Sequence, residues 1–305
     1  MLGSVAFVFP GQGSQAVGMG ADLCADYAVA RECFAEADDA LGFALSRIVL
    51  EGPDAVLRQT AHTQPAILLV SVAAYRAVGL QPAVVAGHSL GEYSALVAAG
   101  ALAFREALVL VHRRGRYMQE AVPEGAGAML ALVGAEPEAI EAAIAADGGA
   151  VDIANLNAPG QVVIAGERGA VERVAAAAGA RQAIELPVSA PFHCRLMLPA
   201  EERLRADLVA ATIVDPSIPL YNNVDAARVT TAAAVRDGLV RQVSRAVRWT
   251  DLVRRMIGEN QIRTVVEVGP GTVLSGLMRR IDKSVERLSL CDRASIAAAH
   301  AALGV

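Results

Sequence analysis

Gly87-His88-Ser89-Leu90-Gly91 places a serine between two glycines at the G-x-S-x-G spacing. The chain holds 27 glycines, so the bare pattern arises easily by chance and its setting matters more than its letters. It follows the apolar run Ala83–Ala86 directly and runs straight into a helical pattern. A strand that turns sharply into a helix forces Ser89 into a strained backbone conformation with its hydroxyl exposed, and the glycines leave room for that turn. The start of the helix also aims free N–H groups, Leu90 first, at the oxyanion formed when such a serine attacks a carbonyl. The predicted role of Ser89 is that of a nucleophile; the plain alternative is an ordinary turn serine.

A nucleophilic serine needs a base, and there are five histidines. His88 lies inside the turn with its side chain directed away from the reacting face of Ser89, which suits packing or substrate contact. His112 sits mid-helix among Leu110, Val111 and Arg113, and His300 stands on an alanine-rich helix. His62 precedes Thr63-Gln64-Pro65 on a loop. His193 follows Pro191-Phe192 in a loop after a strand, the most site-like context of the five. An acid to orient it is harder to find, because Asp207, Asp215, Asp225 and Asp251 all occupy ordinary helix or turn settings. That weakens a simple hydrolase reading, though a carbonyl can orient an imidazole instead.

Composition narrows the chemistry further. The 305 residues carry a net charge of −5, and the 27 basic residues include a single lysine, Lys283. With no glycine-rich loop before it, Lys283 supports neither a Walker phosphate loop nor Schiff-base catalysis. A slightly acidic chain without a basic tract is a poor binder of nucleic acid. Cys24, Cys33, Cys194 and Cys291 lie far apart, with no CxxC pair, so neither a disulfide framework nor a metal site is expected. The longest uncharged apolar stretches, Ala66–Tyr75 and Ser94–Phe104, are roughly half of the ~20 residues a bilayer helix needs, so no membrane span is expected. The start lacks a basic region and a small-residue cleavage site, which predicts a cytoplasmic protein.

These residues must be held by alternating strands and helices, the sign of an α/β fold with a largely parallel sheet. Val5–Phe9 reads as a strand leading into Pro10-Gly11-Gln12-Gly13-Ser14-Gln15. Helical pattern then runs from Asp22 to about Val78, with breaks at Gly42, Gly52-Pro53 and Thr63-Gln64-Pro65. After the Ser89 turn come a helix to near Gly100 and another over Phe104–Ala121. From about Ala126 the rhythm becomes strand, helix, strand, strand, helix, strand, ending at Leu186, which is the ferredoxin-like order. Helices over Leu196–Ala211, Ala232–Ser244 and Trp249–Glu259 follow. A strand over Thr264–Val268, the turn Gly269-Pro270-Gly271, a helix, a strand near Leu288–Leu290 and a terminal helix close the chain. The expected organisation is an α/β-hydrolase-like core over 1–125 and 191–305, with a ferredoxin-like subdomain inserted at 126–190.

Six blocks occur in one order: Phe9-Pro10-Gly11-Gln12-Gly13-Ser14-Gln15, the Gly87–Ala95 segment, Arg113-Arg114-Gly115-Arg116-Tyr117-Met118-Gln119, the Pro159–Gly166 segment, Phe192-His193-Cys194 and Glu267-Val268-Gly269-Pro270-Gly271. Together they resemble the malonyl-CoA:acyl-carrier-protein transacylases of fatty acid synthesis, relatives of the polyketide acyltransferases, from about residue 4 to 300. The resemblance implies Ser89 as the acylated nucleophile, His193 as its base and Gln242 as the residue whose carbonyl holds the imidazole. It implies backbone N–H groups of Gln12 and Leu90 as the oxyanion hole, and Arg114 as the group that holds the malonyl carboxylate. A guanidinium suits that task, since it can offer a carboxylate two parallel charge-assisted hydrogen bonds. Arg113 and Arg116 are expected to be solvated. Phe192 resembles the residue that accompanies malonyl selection in polyketide acyltransferases, whereas many stand-alone bacterial transacylases carry a small residue there.

The implied function is ping-pong transfer of malonyl from malonyl-CoA to the phosphopantetheine thiol of acyl carrier protein, by a monomer that needs no cofactor. The alternatives are a free-standing polyketide acyltransferase, a malonate decarboxylase transacylase subunit and, further off, a serine hydrolase or thioesterase. An acidic carrier protein would have to dock through a local basic patch, for which Arg254-Arg255 and Arg279-Arg280 are candidates.

Overall fold

The computed structural model describes residues 2–304. Its elements are β1 (Leu2–Phe9), α1 (Ala21–Asp26), α2 (Ala28–Leu41), α3 (Leu45–Glu51), α4 (Asp54–Leu57), α5 (Thr60–Val78), β2 (Pro82–Gly87), α6 (Gly91–Ala98) and α7 (Phe104–Glu120). Then come β3 (Gly127–Val133), α8 (Pro137–Asp147), β4 (Val151–Ala158), β5 (Gln161–Glu167), α9 (Arg168–Ala177) and β6 (Gln182–Glu185). The chain continues through α10 (Leu198–Ala210), β7 (Leu220–Tyr221), β8 (Arg228–Val229), α11 (Ala232–Gln242), α12 (Trp249–Asn260), β9 (Thr264–Val268), α13 (Val273–Ile281), β10 (Glu286–Leu290) and α14 (Arg293–Leu303).

Six strands form the larger sheet in the order β10-β9-β1-β2-β7-β8, parallel except for the β7–β8 pair. Side-chain alternation along β1 feeds two cores. Val5, Phe7 and Phe9 face α2, α5 and α7, while Ala6 and Val8 face α12 and α13. Pairing sets Phe9 beside Gly87, so the Gln12 loop and the Ser89 turn leave neighbouring strands at the same carboxyl end of the sheet. Ligands of open α/β sheets bind at that edge.

The smaller sheet is antiparallel, in the order β4-β5-β3-β6, with α8 and α9 packed on one face around Leu132, Ile140, Ile164, Val171 and Val174. This is the expected ferredoxin-like arrangement. Its other face, with Met129, Ala131, Ala154, Val163 and Ala165, joins the core of the larger sheet. The entry and exit of this segment meet, since a Cβ on Gly127 would lie 2.4 Å from the Pro191 ring. Backbone bonds between Val247 and both Ala154 and Leu156 dock β4 onto the segment before α12.

Two features depart from expectation. Thr63-Gln64-Pro65 does not break the helical run, because α5 passes straight through Pro65. Proline has no N–H for the carbonyl four residues back, Ala61. His112 supplies the missing donor, its Nδ1–H donating to Ala61 O at 2.9 Å. His62 therefore lies in the first turn of α5, not on a loop. Secondly, β7 and β8 are two residues each, too short for any periodic signal, yet they extend the sheet beyond β2. No helix among the described residues is long and apolar enough to cross a membrane.

Candidate active site

Ser89 takes a left-handed backbone conformation, φ 52°, between β2 and α6. The flanking glycines are required by contact: a Cβ on Gly87 would fall 1.9 Å from Gly91, and one on Gly91 would fall 2.0 Å from Phe9 O. A non-glycine residue held at positive φ costs about 1–2 kcal/mol, so other contacts must hold the turn. Asn223, between β7 and β8, does so from both sides. Its Oδ1 accepts from Ser89 N–H at 2.6 Å, and its Nδ2–H donates to Gly87 O at 2.6 Å.

His193 is also left-handed, φ 60°, and only 4% exposed. Its Nδ1–H donates to the main-chain carbonyl of Gln242 at 2.8 Å, which fixes the tautomer and leaves Nε2 to accept from Ser89 Oγ at 2.7 Å. The orienting group is thus a carbonyl from the end of α11. Burial, and then the nearby positive charge of Arg114, pushes the His193 imidazole down to about 3, so it stands neutral with Nε2 unprotonated toward Ser89.

The dyad opens into a cavity of about 370 Å³ lined also by Gln12, Leu90, Arg114, Phe192, Gln64 and Met129. Neither the Gln12 nor the Leu90 backbone N–H has an acceptor among the described residues. Arg114 is 1% exposed. Its Nη1–H donates to Gln64 Oε1 at 2.7 Å, and its Nη2 reaches Gln242 Oε1 at 2.9 Å and Ser89 Oγ at 3.3 Å. Its guanidinium lies over the Tyr93 ring, and its Nε is buried without a partner. Arg113 and Arg116 instead pair with Asp207 and Glu120 at the surface.

A family model for the acyl transferase domain matches residues 6–297. The chain belongs to the acyl transferase family. Similarity within that family runs the whole length. The chain is 50% identical to the malonyl CoA-acyl carrier protein transacylase of Escherichia coli K12 over 303 residues, covering 96% of this chain and 98% of that one. It is 42% identical to the Bacillus subtilis 168 protein of the same name, over 97% of this chain and 96% of the other. Among solved structures, an acyl carrier protein S-malonyltransferase from Vibrio cholerae superposes with a TM-score of 0.94 at 50% identity, covering 97% and 99% of the two chains. A malonyl-transacylase solved in complex with its type II PKS acyl-carrier protein gives a TM-score of 0.94 at 46% identity, covering 97% and 98%.

The remaining expected residues of this acyl transferase divide in two. His88 packs its ring against Trp249 and hydrogen-bonds Asn157 Oδ1 at 2.8 Å, on the cavity wall but away from Ser89 Oγ. Phe192 is buried on the wall next to His193. The docking candidates lie outside the cavity: Arg280 donates to Gln161 and Pro159 of the β4–β5 hairpin, and Arg255 to Ala226 O. Arg254 and Arg279 are exposed and have no hydrogen-bond partner among the described residues. Sequence reasoning gave no role to Gln64, Glu92 or Asn223. Glu92, one turn after Ser89, had a usable signal in its spacing, a carboxylate within an otherwise apolar helix; Asn223 had none.

Proposed function

We infer that this acyl transferase moves a malonyl group from malonyl-CoA to the phosphopantetheine thiol of an acyl carrier protein, through a malonyl ester on Ser89. The names of its full-length relatives support that reading. The observation that carries it is Arg114, a buried cation 3.3 Å from the nucleophile, placed to receive a carboxylate on the acyl group. As Ser89 Oγ attacks the thioester carbon, His193 Nε2 takes its proton, and the oxyanion meets the N–H groups of Gln12 and Leu90. CoA leaves as the thiol with that proton. The carrier's thiol then gives its proton to His193 and attacks the ester, and Ser89 is released with its proton restored. The reacting groups come from one chain, which suits a monomer working in the cytoplasm on a CoA thioester. A polyketide carrier protein as acceptor is the second reading, favoured by the neighbour solved with such a carrier.

Mass spectrometry after mixing with malonyl-CoA is expected to show a malonyl adduct on Ser89 that disappears on addition of holo carrier protein, and none in Ser89→Ala. Turnover with Ser89 unmodified, or malonate released faster than malonyl is transferred, would overturn the assignment.

A further inference from the structure

Glu92 is a fully buried carboxylate that the transfer chemistry does not use, and it holds together the groups that do. One oxygen, Oε2, accepts from Asn223 N–H at 3.0 Å and from Gln242 Nε2–H at 2.8 Å. Asn223 carries the Ser89 turn, and Gln242 carries the carbonyl that orients His193. The Gln242 side chain does more: its Nε2 also reaches Ser89 O at 3.0 Å, while its Oε1 accepts from Arg114 Nη2 at 2.9 Å. One amide therefore links the Arg114 guanidinium to the Glu92 carboxylate. No carboxylate forms a direct ion pair with Arg114 among the described residues. Glu92 is the buried negative charge that answers Arg114 at one remove.

We propose that Glu92 is a positioning residue for acyl transfer, setting the Ser89 turn and the His193 anchor through Asn223 and Gln242, and balancing Arg114 until a carboxylate on the acyl group takes over that balance. The proposal rests on the malonyl reading above. Its consequence is proton linkage. When a substrate carboxylate arrives at Arg114, a second negative charge enters a dry site, and Glu92 answers by taking a proton from solvent. Burial already pushes Glu92 up to about 7, against the pull of Asn223, Gln242 and Arg114. The other charged or titratable groups near it are Asp225 beyond β7 and Tyr93 on its own helix. Above pH 7 an ionised Glu92 competes with malonyl for Arg114, so the KM for malonyl-CoA should rise with pH; an uncharged acetyl group should show no such rise.

Glu92→Gln separates charge from hydrogen bonding, since an amide oxygen at the Oε2 position can still accept from both Asn223 and Gln242. Glu92→Leu removes both. Initial rates with malonyl-CoA and acetyl-CoA are measured from pH 6 to 9, roughly spanning the range where Glu92 titrates. Wild type is expected to lose malonyl-CoA affinity by about tenfold per pH unit at the steep end, the limit for one proton. Glu92→Gln is expected to flatten that dependence, with kcat lowered several-fold for both donors. Glu92→Leu is expected to lose roughly a hundredfold in kcat with both, as the dyad loses its support. An unchanged malonyl KM–pH profile in Glu92→Gln overturns the proposal, and it does so even if Glu92→Leu fails to fold. A wild-type protein that loads no malonyl overturns the malonyl reading itself, whereas normal loading with indifferent Glu92 variants overturns this proposal alone.

Discussion

Arg114 gives up nearly all its hydration to lie beside Ser89, and only amide oxygens and a hydroxyl accept from it. A buried cation without a contacting anion costs several kcal/mol, which a carboxylate-bearing substrate recovers on binding. Arg114→Ala is therefore expected to lower kcat/KM for malonyl-CoA by about 10²–10³ while lowering that for acetyl-CoA less than about tenfold, as the loss of one charge-assisted bidentate contact implies. Equal losses with the two donors, in a side-by-side transfer assay, would remove Arg114 from selectivity. At this scale the sequence was most legible where geometry is local. Ser89 and its glycines announce a sharp turn within five residues, and Leu90 follows as a donor. His193 was legible only from its loop setting, and Gln242 and Arg114 only through resemblance. Glu92, Gln64 and Asn223 act through contacts between residues up to 150 apart in the chain, which no local pattern encodes.

At the scale of elements, α5 shows one side chain mending what another breaks. Pro65 removes the donor for Ala61 O, and His112 from α7 replaces it across the helix pair. His112→Ala is expected to cost about 1 kcal/mol, the net worth of one hydrogen bond to a half-buried carbonyl. Adding Pro65→Ala restores a backbone N–H within α5, so the double variant should recover part of that loss in chemical denaturation. A double variant no more stable than His112→Ala would refute the replacement. The sequence suggests a break at Pro65 because proline's local rule is strong, and the rule is overridden by a donor that stands 51 residues along the chain from the Ala61 carbonyl. Long amphipathic segments such as α7 and the β-branched run of β9 were readable from their period. The two-residue strands β7 and β8 were not, although the loop between them delivers Asn223 to the nucleophile.

For the whole molecule, a net charge of −5 repels an acidic carrier protein at long range, so docking needs a local basic face. Arg280 is occupied in holding the β4–β5 hairpin, which makes its neighbour Arg279 the cleaner probe. Arg279→Glu is expected to raise the KM for carrier protein several-fold and leave that for malonyl-CoA unchanged, since rim charges act mainly on encounter. An unaltered carrier KM would take α13 out of the docking face. The two-sheet plan was legible because the strand and helix order changes near residue 126, whereas the burial of the small sheet's second face against the main core was not. The meeting of Gly127 with Pro191 has a practical meaning for protein engineering. A segment whose two ends touch is covalently joined to its host at one place, so an exchange of the 126–190 stretch between relatives would need only adjacent splice points, but it would also have to match the host at the shared core, at Val247 and at Arg280. The graft would carry Met129 and Asn155 of the cavity wall while Ser89, His193 and Arg114 stay with the host.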